Sequence, residues 1–196
     1  MNVVLVGAGG HAKGVVEALR ASGGKVVTYI DRVPANWLDA RREESDEAVE
    51  PSVGTLVFGL GGMTPDALAI RLALFERYRS RGFSAEPIVH SAGWVGTSAR
   101  LGVGTVVLAG AVVQPGVQIG QAVIVNSGAI IEHDSTVGDG THVAPGAIVL
   151  GGCRVGSCCM IGAGSVILPG AEVPDATLVR AATRWPESSS HDGKGL

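Results

Sequence analysis

The chain has 196 residues, of which 46% are hydrophobic and 17% charged, and its formal net charge is −3 at pH 7. This length is enough for two modest domains without help from disulfides or metals. The slight acidic excess excludes the basic surface that non-specific nucleic-acid binding requires, and no apolar run reaches the roughly 18 residues of a membrane span. We therefore expect no nucleic-acid or membrane partner. The N-terminus lacks the pattern of a secretion signal, so we expect a cytoplasmic protein.

The charged residues are concentrated in the first part of the chain. Residues 1–88 carry 21 of the 33 charged side chains, so we place a domain boundary near residue 88. Hydrophobic patterning in this first domain predicts a short Rossmann-like unit, β-α-β, then a solvated acidic loop at residues 43–50, then a second β-α-β. The predicted elements are strands at residues 3–6, 26–30 and 55–58, helices at 11–21 and 65–81, and a last strand that enters Pro87.

A glycine-rich turn follows the first predicted strand. The sequence Gly-Ala-Gly-Gly-His-Ala at residues 7–12 leads into a helix, and Asp31 ends the next strand. Backbone N–H groups at the start of a helix form a natural anion site. The pattern fits a dinucleotide fingerprint, which leaves a bound NAD as one possibility. The predicted four-stranded sheet lacks the second half of a full dinucleotide fold, and this favours another nucleotide diphosphate, with Asp31 against its ribose or base.

The second part of the chain has a strict six-residue repeat. Every sixth residue from Val89 to Val179 is Val, Ile or Leu, and the residue four places after each is small or medium-sized. An α-helix cannot use this period, whereas short strands joined by corners can. Three hexapeptides make one triangular coil, so fifteen give five coils with hydrogen bonds from coil to coil. Glycine often follows the aliphatic residue, as at Gly96 and Gly102, and we expect it to permit a sharp bend.

The three cysteines lie close together in this repeat. Cys153 and Cys159 fall on the small inward register, and Cys158 is adjacent. The group lacks the Cys-x-x-Cys spacing of zinc and redox sites. We therefore expect core-filling cysteines.

Two segments carry a resemblance to a known family. The opening Val-Gly-Ala-Gly-Gly-His-Ala and the two histidines within residues 131–146 resemble the hexapeptide-repeat nucleotide-sugar N-acetyltransferases and sialic acid O-acetyltransferases. The resemblance implies acetyl-CoA as acyl donor, left-handed coils, and a homotrimer with active sites between neighbouring subunits. The expected fold is thus an α/β domain at 1–88, a left-handed parallel β-helix at 89–180, and a tail at 181–196 that is disordered from about residue 187.

The resemblance also implies roles for the two histidines. His133 would be the general base that deprotonates the acceptor, Asp134 would raise its basicity, and His142 would hold acetyl-CoA near its thioester carbonyl. Because a thioester is already activated, a neutral histidine within reach of the nucleophile supplies the remaining help. His133 and His142 are nine residues apart, half a coil, and are expected on different faces. Two neighbouring chains are then needed to bring both to one site.

Further contacts are implied by the same resemblance. The implied nucleotide-sugar contacts are Gly9, Gly10, His11, Asp31, Arg32, Gly61 and Asn126, and the implied contacts with the pantetheine arm are Gly151, Gly162 and Ala163. Two departures affect these assignments. Arg32 replaces a second acidic residue that the family often has, and Val179-Arg180-Ala181 replaces the usual glycine-rich ending.

The expected function is acetyl-CoA-dependent N-acetylation of a nucleotide-linked amino sugar, in polysaccharide biosynthesis. Acetylation of an oxygen, on sialic acid or another sugar, is an alternative, and a non-catalytic β-helix scaffold is a further one. A metal-dependent hydratase of the γ-carbonic anhydrase kind would need three converging histidines. The repeat has only His133 and His142 besides His90 at its start, so we expect no metal.

Overall fold

The computed structural model describes residues 1–186, and the disorder expected from about residue 187 lies outside them. The chain begins with a parallel sheet of strand order β3-β2-β1-β4, flanked by two helices. Two short 3₁₀ turns lie between β3 and β4. No helix of residues 1–186 is both long and apolar enough to cross a membrane. The elements are β1 (Asn2–Val6), α1 (Gly10–Ala21), β2 (Lys25–Ile30), β3 (Arg41–Glu43), β4 (Thr55–Phe58) and α2 (Pro65–Ser80).

The central strand β1 is a continuous apolar run, and its residues 3–6 are all buried. Such a run is typical of a parallel strand that is covered on both faces. On one side α1 buries Val15 and Leu19 in a cluster that also contains Ile124 from the second half of the chain. On the other side Phe58 packs edge-to-face against Phe75 of α2, in a cluster that also contains Ala122 of the second half of the chain. Both helices therefore connect the sheet to the remainder of the molecule.

The fourth strand of this sheet differs from the prediction. It is β3, at the edge of the sheet beside β2, whereas the predicted strand entering Pro87 does not form. The segment before Pro87 contacts β4 through one backbone hydrogen bond, from Leu56 N–H to the Ser84 carbonyl, at 2.8 Å. Strand β3 has the sequence Arg-Arg-Glu and was missed because a short, charged edge strand carries no hydrophobic pattern.

The rest of the described chain is a parallel β-helix that winds left-handed. Its strands pair with partners eighteen residues away, as Ile124 does with His142, so three hexapeptides form each coil, as predicted. The strands are β5 (Ile88–Val89), β6 (Trp94–Val95), β7 (Arg100–Leu101), β8 (Val106–Val107), β9 (Val112–Val113), β10 (Gln118–Ile119), β11 (Ile124–Val125), β12 (Ile130–Ile131), β13 (Thr136–Val137), β14 (His142–Val143), β15 (Ile148–Val149), β16 (Arg154–Val155), β17 (Met160–Ile161), β18 (Val166–Ile167), β19 (Glu172–Val173), β20 (Leu178–Val179) and β21 (Arg184–Trp185).

The second residue of each strand points into the β-helix and forms its core. Cys153 and Cys159 are fully buried in this core, which confirms their predicted structural position, whereas Cys158 is only partly buried, at a corner where its φ is 54°. Trp185 follows in the same register beyond residue 180, packs on the core, and donates its indole N–H to the Glu172 carbonyl at 2.9 Å. The aromatic ring therefore covers the last coil.

The corners use glycine in two different ways. From Gly104 to Ala182 every sixth residue has φ between 51° and 78°, a conformation that favours glycine. These residues lie two places beyond the glycines that the sequence assigned to sharp bends. The glycines that follow the aliphatic residues instead allow neighbouring coils to approach closely. A Cβ on Gly138, for example, would lie 2.5 Å from the Ser157 amide nitrogen of the next coil.

The three faces of the β-helix present different outward residues. The packed face (β5, β8, β11, β14, β17, β20) is buried under α1 and α2 over most of its length. The polar face (β7, β10, β13, β16, β19) is exposed. The apolar face (β6, β9, β12, β15, β18, β21) is also uncovered, yet it carries a ladder of large hydrophobic side chains. The outward residues of the apolar face before its last strand are Trp94, Val112, Ile130, Ile148 and Val166.

Candidate active site

A cleft of about 900 Å³ lies between the α/β domain and the β-helix. One wall is the start of α1 together with the loop between β4 and α2. The opposite wall is the packed face and the corner that follows it, here named the cleft corner. Apolar side chains, including Met63 and Leu178, form much of the rim. The lining residues are Gly10, His11, Gly14, Gly61, Gly62, Met63, Leu108, Asn126, Ser127, His142, Ala144, Pro145, Met160, Gly162, Ala163, Leu178, Val179, Arg180 and Ala181.

The cleft corner is built from equivalent positions of successive coils. Asn126, Ala144, Gly162 and Arg180 are each separated by eighteen residues, and all four line the cleft. Because the ladder of hydrogen bonds stacks the coils, these residues form a straight row along the β-helix. Small side chains in the middle of the row leave a groove between the polar residues at its two ends.

The start of α1 presents unpaired backbone donors to the cleft. Gly9 is the N-cap and supplies no side-chain hydrogen bond, and the first turn contains no acidic residue. A Cβ added to Gly10 would meet no atom within 4 Å, so the backbone is open to a ligand at this point. The helix dipole and the free N–H groups favour a negatively charged group here.

His142 links the two domains through hydrogen bonds. Its Nδ1 lies 2.8 Å from the Gly62 carbonyl oxygen, and its Nε2 lies 2.9 Å from Nδ2 of Asn126. The Asn126 amide oxygen accepts from the Ser127 N–H at 2.8 Å. This series of hydrogen bonds ends in a backbone carbonyl on one side and a backbone N–H on the other. Nδ1 of His142 must therefore carry the proton, and Nε2 accepts a hydrogen bond from Asn126. A second N–H of Asn126 remains available.

The surroundings of His142 favour its neutral form. Burial lowers its pKa, the hydrogen bond to Gly62 opposes this shift, and the nearby Arg71 charge lowers the pKa further. His11 lies beside it, with ring centroids 6.3 Å apart. Burial, together with smaller effects of Arg71 and His142, lowers the pKa of His11 to about 4. Two neutral imidazoles therefore face the cleft at neutral pH.

Arg71 is a buried cation behind these histidines that the sequence did not single out. It lies on α2, is 2% exposed, and donates to the carbonyl oxygens of Leu60 and Ala122, one from each domain. Burial lowers its pKa to about 10. Within residues 1–186, its Nη2 atom and the Nε2 atom of His11 are buried without a hydrogen-bond partner.

His133 and Asp134 lie outside the cleft of their own chain. They occupy the corner that follows the apolar face, here named the histidine corner. Nδ1 of His133 lies 3.0 Å from Oδ2 of Asp134, and both side chains are exposed. Asp134 has a φ of 59°, which aspartate tolerates better than most residues. Gly151 lies one coil on, where a Cβ would approach Nε2 of His133 to 2.8 Å, so a larger residue there would displace the exposed ring.

Asp31 and Arg32 line a second cavity of about 430 Å³ at the carboxyl ends of β1 and β2. Asp31 accepts from the N–H groups of Ala8 and Val33, at 2.8 and 2.9 Å. It therefore also holds the glycine-rich turn. This turn separates the second cavity from the cleft.

The predicted site residues thus fall into three groups within one chain. The cleft contains Gly10, His11, Gly61, Asn126, His142, Gly162 and Ala163, while His133, Asp134 and Gly151 lie at the histidine corner, and Asp31 and Arg32 line the second cavity. Gly9 caps the helix at the edge of the cleft. The sequence did not identify Gly62 and Arg71, because a carbonyl contact and a buried arginine leave no motif. Residues 1–186 contain no group of three His, Cys, Asp or Glu side chains that could hold a metal ion.

The family model of the bacterial transferase hexapeptide (six repeats) matches residues 134–169. PerB from Caulobacter crescentus, solved with CoA and GDP-perosamine, is 32% identical, over 95% of this chain and 89% of that chain, with a TM-score of 0.85. Perosamine N-acetyltransferase from the same organism, with one histidine replaced by asparagine and with the same ligands, is 30% identical over the same shares, also with a TM-score of 0.85. The acetyltransferase domain of PglB from Neisseria gonorrhoeae, solved with acetyl coenzyme A, is 29% identical, over 92% of this chain and 88% of that chain, with a TM-score of 0.84. No curated protein matches the sequence.

The lowered pKa of His11 predicts a loss of stability in acid. Below about pH 6.5 the histidine of the unfolded chain takes up a proton that the folded chain binds only near pH 4. Unfolding is therefore favoured as the pH falls through this window, by about 2 kcal/mol at pH 5. Urea unfolding at pH 7 and at pH 5, at one protein concentration, measures the free energy of unfolding. Its decrease between pH 7 and pH 5 should be smaller in His11→Asn than in the wild type.

His133→Asn, which removes an exposed histidine, serves as the control and should keep the wild-type loss. Equal losses in His11→Asn and in the wild type would contradict the assignment of this effect to His11.

Proposed function

The chain belongs to the hexapeptide-repeat acyltransferases, in the family of nucleotide-sugar N-acetyltransferases and sialic acid O-acetyltransferases, and we propose that it acetylates the amino group of a nucleotide-linked amino sugar. The observation that carries the proposal is the cleft, where an apolar groove and an open helix N-terminus meet at His142 and His11. Acetyl-CoA is the donor. We also propose that the reaction is cytoplasmic and serves polysaccharide biosynthesis.

The acyl donor occupies the cleft corner in this proposal. The pantetheine arm runs along the row past Gly162 and Ala163, whose small side chains permit close approach. The thioester lies at the other end, beside Asn126 and His142. The resemblance implied a thioester contact for His142 and an acceptor contact for Asn126, but both ring nitrogens of His142 already have partners. In this proposal His142 holds the Asn126 amide through its Nε2, and the second N–H of Asn126 is directed at the carbonyl oxygen of the thioester.

His133 acts as the general base. A carboxylate only accepts hydrogen bonds, so Oδ2 of Asp134 accepts a hydrogen bond from the Nδ1–H of His133. The lone pair of Nε2 is then free. As the neutral amine attacks the carbonyl carbon, Nε2 removes its proton. The C–S bond then breaks, and the departing thiolate of CoA receives that proton. Gly151 beside the ring gives the reacting atoms access to Nε2.

The acceptor lies across the glycine-rich turn. Its diphosphate binds the free N–H groups at the start of α1, and Gly9, Gly10 and Gly61 leave room for it there. The nucleoside extends into the second cavity, toward Asp31 and Arg32. The sugar points into the cleft at His11. Crevices at the carboxyl ends of parallel strands are the usual position for nucleotides in such sheets.

A homotrimer completes the site. The apolar face carries a ladder of hydrophobic side chains, of which Trp94 is 51% exposed and the others are half-buried, and a second copy of the chain is the partner that we propose to cover it. The histidine corner and the cleft corner are the two edges of this face. If three chains turn it toward a common axis, the histidine corner of each meets the cleft corner of the next.

The positions of His133 and Asn126 along the β-helix axis suit such an arrangement. His133 lies seven residues after Asn126 and eleven before Ala144, which is within one coil of the thioester end of the groove. His133 and Asp134 of one chain then reach the amine beside His142 of its neighbour. The nine residues between His133 and His142 are half a coil, so the two side chains lie apart within one chain. In the trimer that we propose, His133 of one chain lies beside His142 of the next.

Replacement of the base should remove chemistry and leave donor binding. His133→Gln should lower kcat by about 10²- to 10⁴-fold, the usual contribution of a general base, with little change in the Kd of acetyl-CoA. His90→Gln provides a matched control at the start of the β-helix. Steady-state acetylation of an amino-sugar nucleotide together with calorimetric titration of acetyl-CoA measures both. Full turnover by His133→Gln would place the base elsewhere.

A charge on the apolar face should disrupt the trimer and the activity together. Ile148→Arg introduces a cation at the centre of the ladder, where the proposed contact would have to bury it. Sedimentation velocity should show monomers, and acetyl transfer should fall in parallel. Thr136→Arg, on the polar face, should remain trimeric and active. An active Ile148→Arg monomer would show that one chain contains a complete site.

The acceptor site is tested at Gly10. The open space around Gly10 lets the Gly10→Val chain fold, but the new side chain should collide with the diphosphate. The KM of the nucleotide sugar should rise while kcat and acetyl-CoA binding change little, because these contacts hold the ground state and the transition state alike. The KM of the free amino sugar, which lacks the nucleotide, is the control and should not respond. Tight binding of NADH by the wild type, with no binding of nucleotide sugars, would contradict this assignment.

A further inference from the structure

The far end of the cleft corner carries an arginine. Arg180 follows β20, is exposed, and lines the cleft at the end of the row that begins with Asn126. Among the described residues that line the cleft, it is the only lysine or arginine. The groove between the two ends is formed by small or apolar residues, such as Ala144 and Gly162. A ligand that follows the groove therefore passes from a polar end, across an uncharged stretch, to a cation.

The length of this stretch can be compared with the length of the acyl donor. Asn126 and Arg180 are three coils apart, and neighbouring strands are spaced by about 4.8 Å, so the row spans about 14 Å. The pantetheine arm joins its sulfur to the first phosphorus through a chain of about thirteen bonds, which at about 3.5 Å for every three bonds extends to about 15 Å. The two lengths agree within the reach of an arginine side chain.

We propose that Arg180 binds the diphosphate of coenzyme A, and so anchors the donor with its thioester beside Asn126. This inference rests on the proposed function and adds to it a donor-binding residue. A guanidinium has the planar fork of N–H donors that matches phosphate oxygens in pairs. The uncharged groove contributes contact with the arm, whereas Arg180 contributes recognition of the phosphates. Recognition of CoA over shorter thioesters therefore depends on Arg180.

The test compares two donors that differ only beyond the arm. S-acetylpantetheine has the same thioester as acetyl-CoA but no phosphate. Arg180→Ala should raise the KM of acetyl-CoA by about tenfold, as expected for one exposed charge-assisted contact, and leave kcat and the KM of S-acetylpantetheine unchanged. Arg180→Lys should recover part of the loss. Arg154→Ala, which removes an exposed arginine of the polar face, should behave like the wild type.

Calorimetric titration of CoA and of pantetheine gives a readout that does not require transfer. A loss of CoA affinity in Arg180→Ala, without a loss of pantetheine affinity, supports the anchor. An unchanged affinity for CoA, or an equal loss for both ligands, would overturn it. Failure of the proposed function is a separate outcome, in which the wild type binds CoA yet acetylates no amino-sugar nucleotide.

Discussion

The hydrogen-bond ladder that pairs each strand residue with the residue eighteen positions on is the constraint on which the site depends. It converts a separation along the chain into a height along the β-helix, and it stacks equivalent corners in straight rows. Asn126 and Gly162 therefore share one groove although 36 residues separate them. The same ladder places Gly151 directly beside the ring of His133. The insertion or deletion of one residue in the ladder of any coil would move every later side chain out of its row.

The second requirement is that the α/β domain lies on the packed face in one orientation. Arg71 donates to carbonyl oxygens of both domains, and His142 on the β-helix is held by the Gly62 carbonyl of the other domain. The close approach of His11 to His142 follows from these contacts. The start of α1, which suits an anionic acceptor, is thereby placed at the Asn126 end of the groove, where we propose that the thioester lies. The donor and acceptor positions that we propose thus depend on the same buried contacts.

The sequence predicted the β-helix well because each coil repeats the same inward requirement three times, and sixteen aliphatic residues report it without interruption. It was less informative where geometry between coils or domains decides. The glycines that follow the aliphatic residues predict sharp bends, but at one of them, Gly138, the lack of a side chain serves the approach of Ser157. Strand β3 has no hydrophobic pattern. The Gly62 carbonyl that orients His142 is a backbone group, so no residue type could have indicated it.

The two histidines of the proposed site have environments that separate their tasks. His142 is buried near Arg71, and both factors lower its pKa, so it stays uncharged and can hold the Asn126 amide through its lone pair. His133 is exposed, and its Nδ1 lies 3.0 Å from Oδ2 of Asp134, so the general base that we propose lies outside the apolar interior. Opposed environments of this kind assign acid–base roles in many enzymes. In this chain the separation is imposed by topology, since a residue on the packed face is covered by the second domain and a residue at the histidine corner is not.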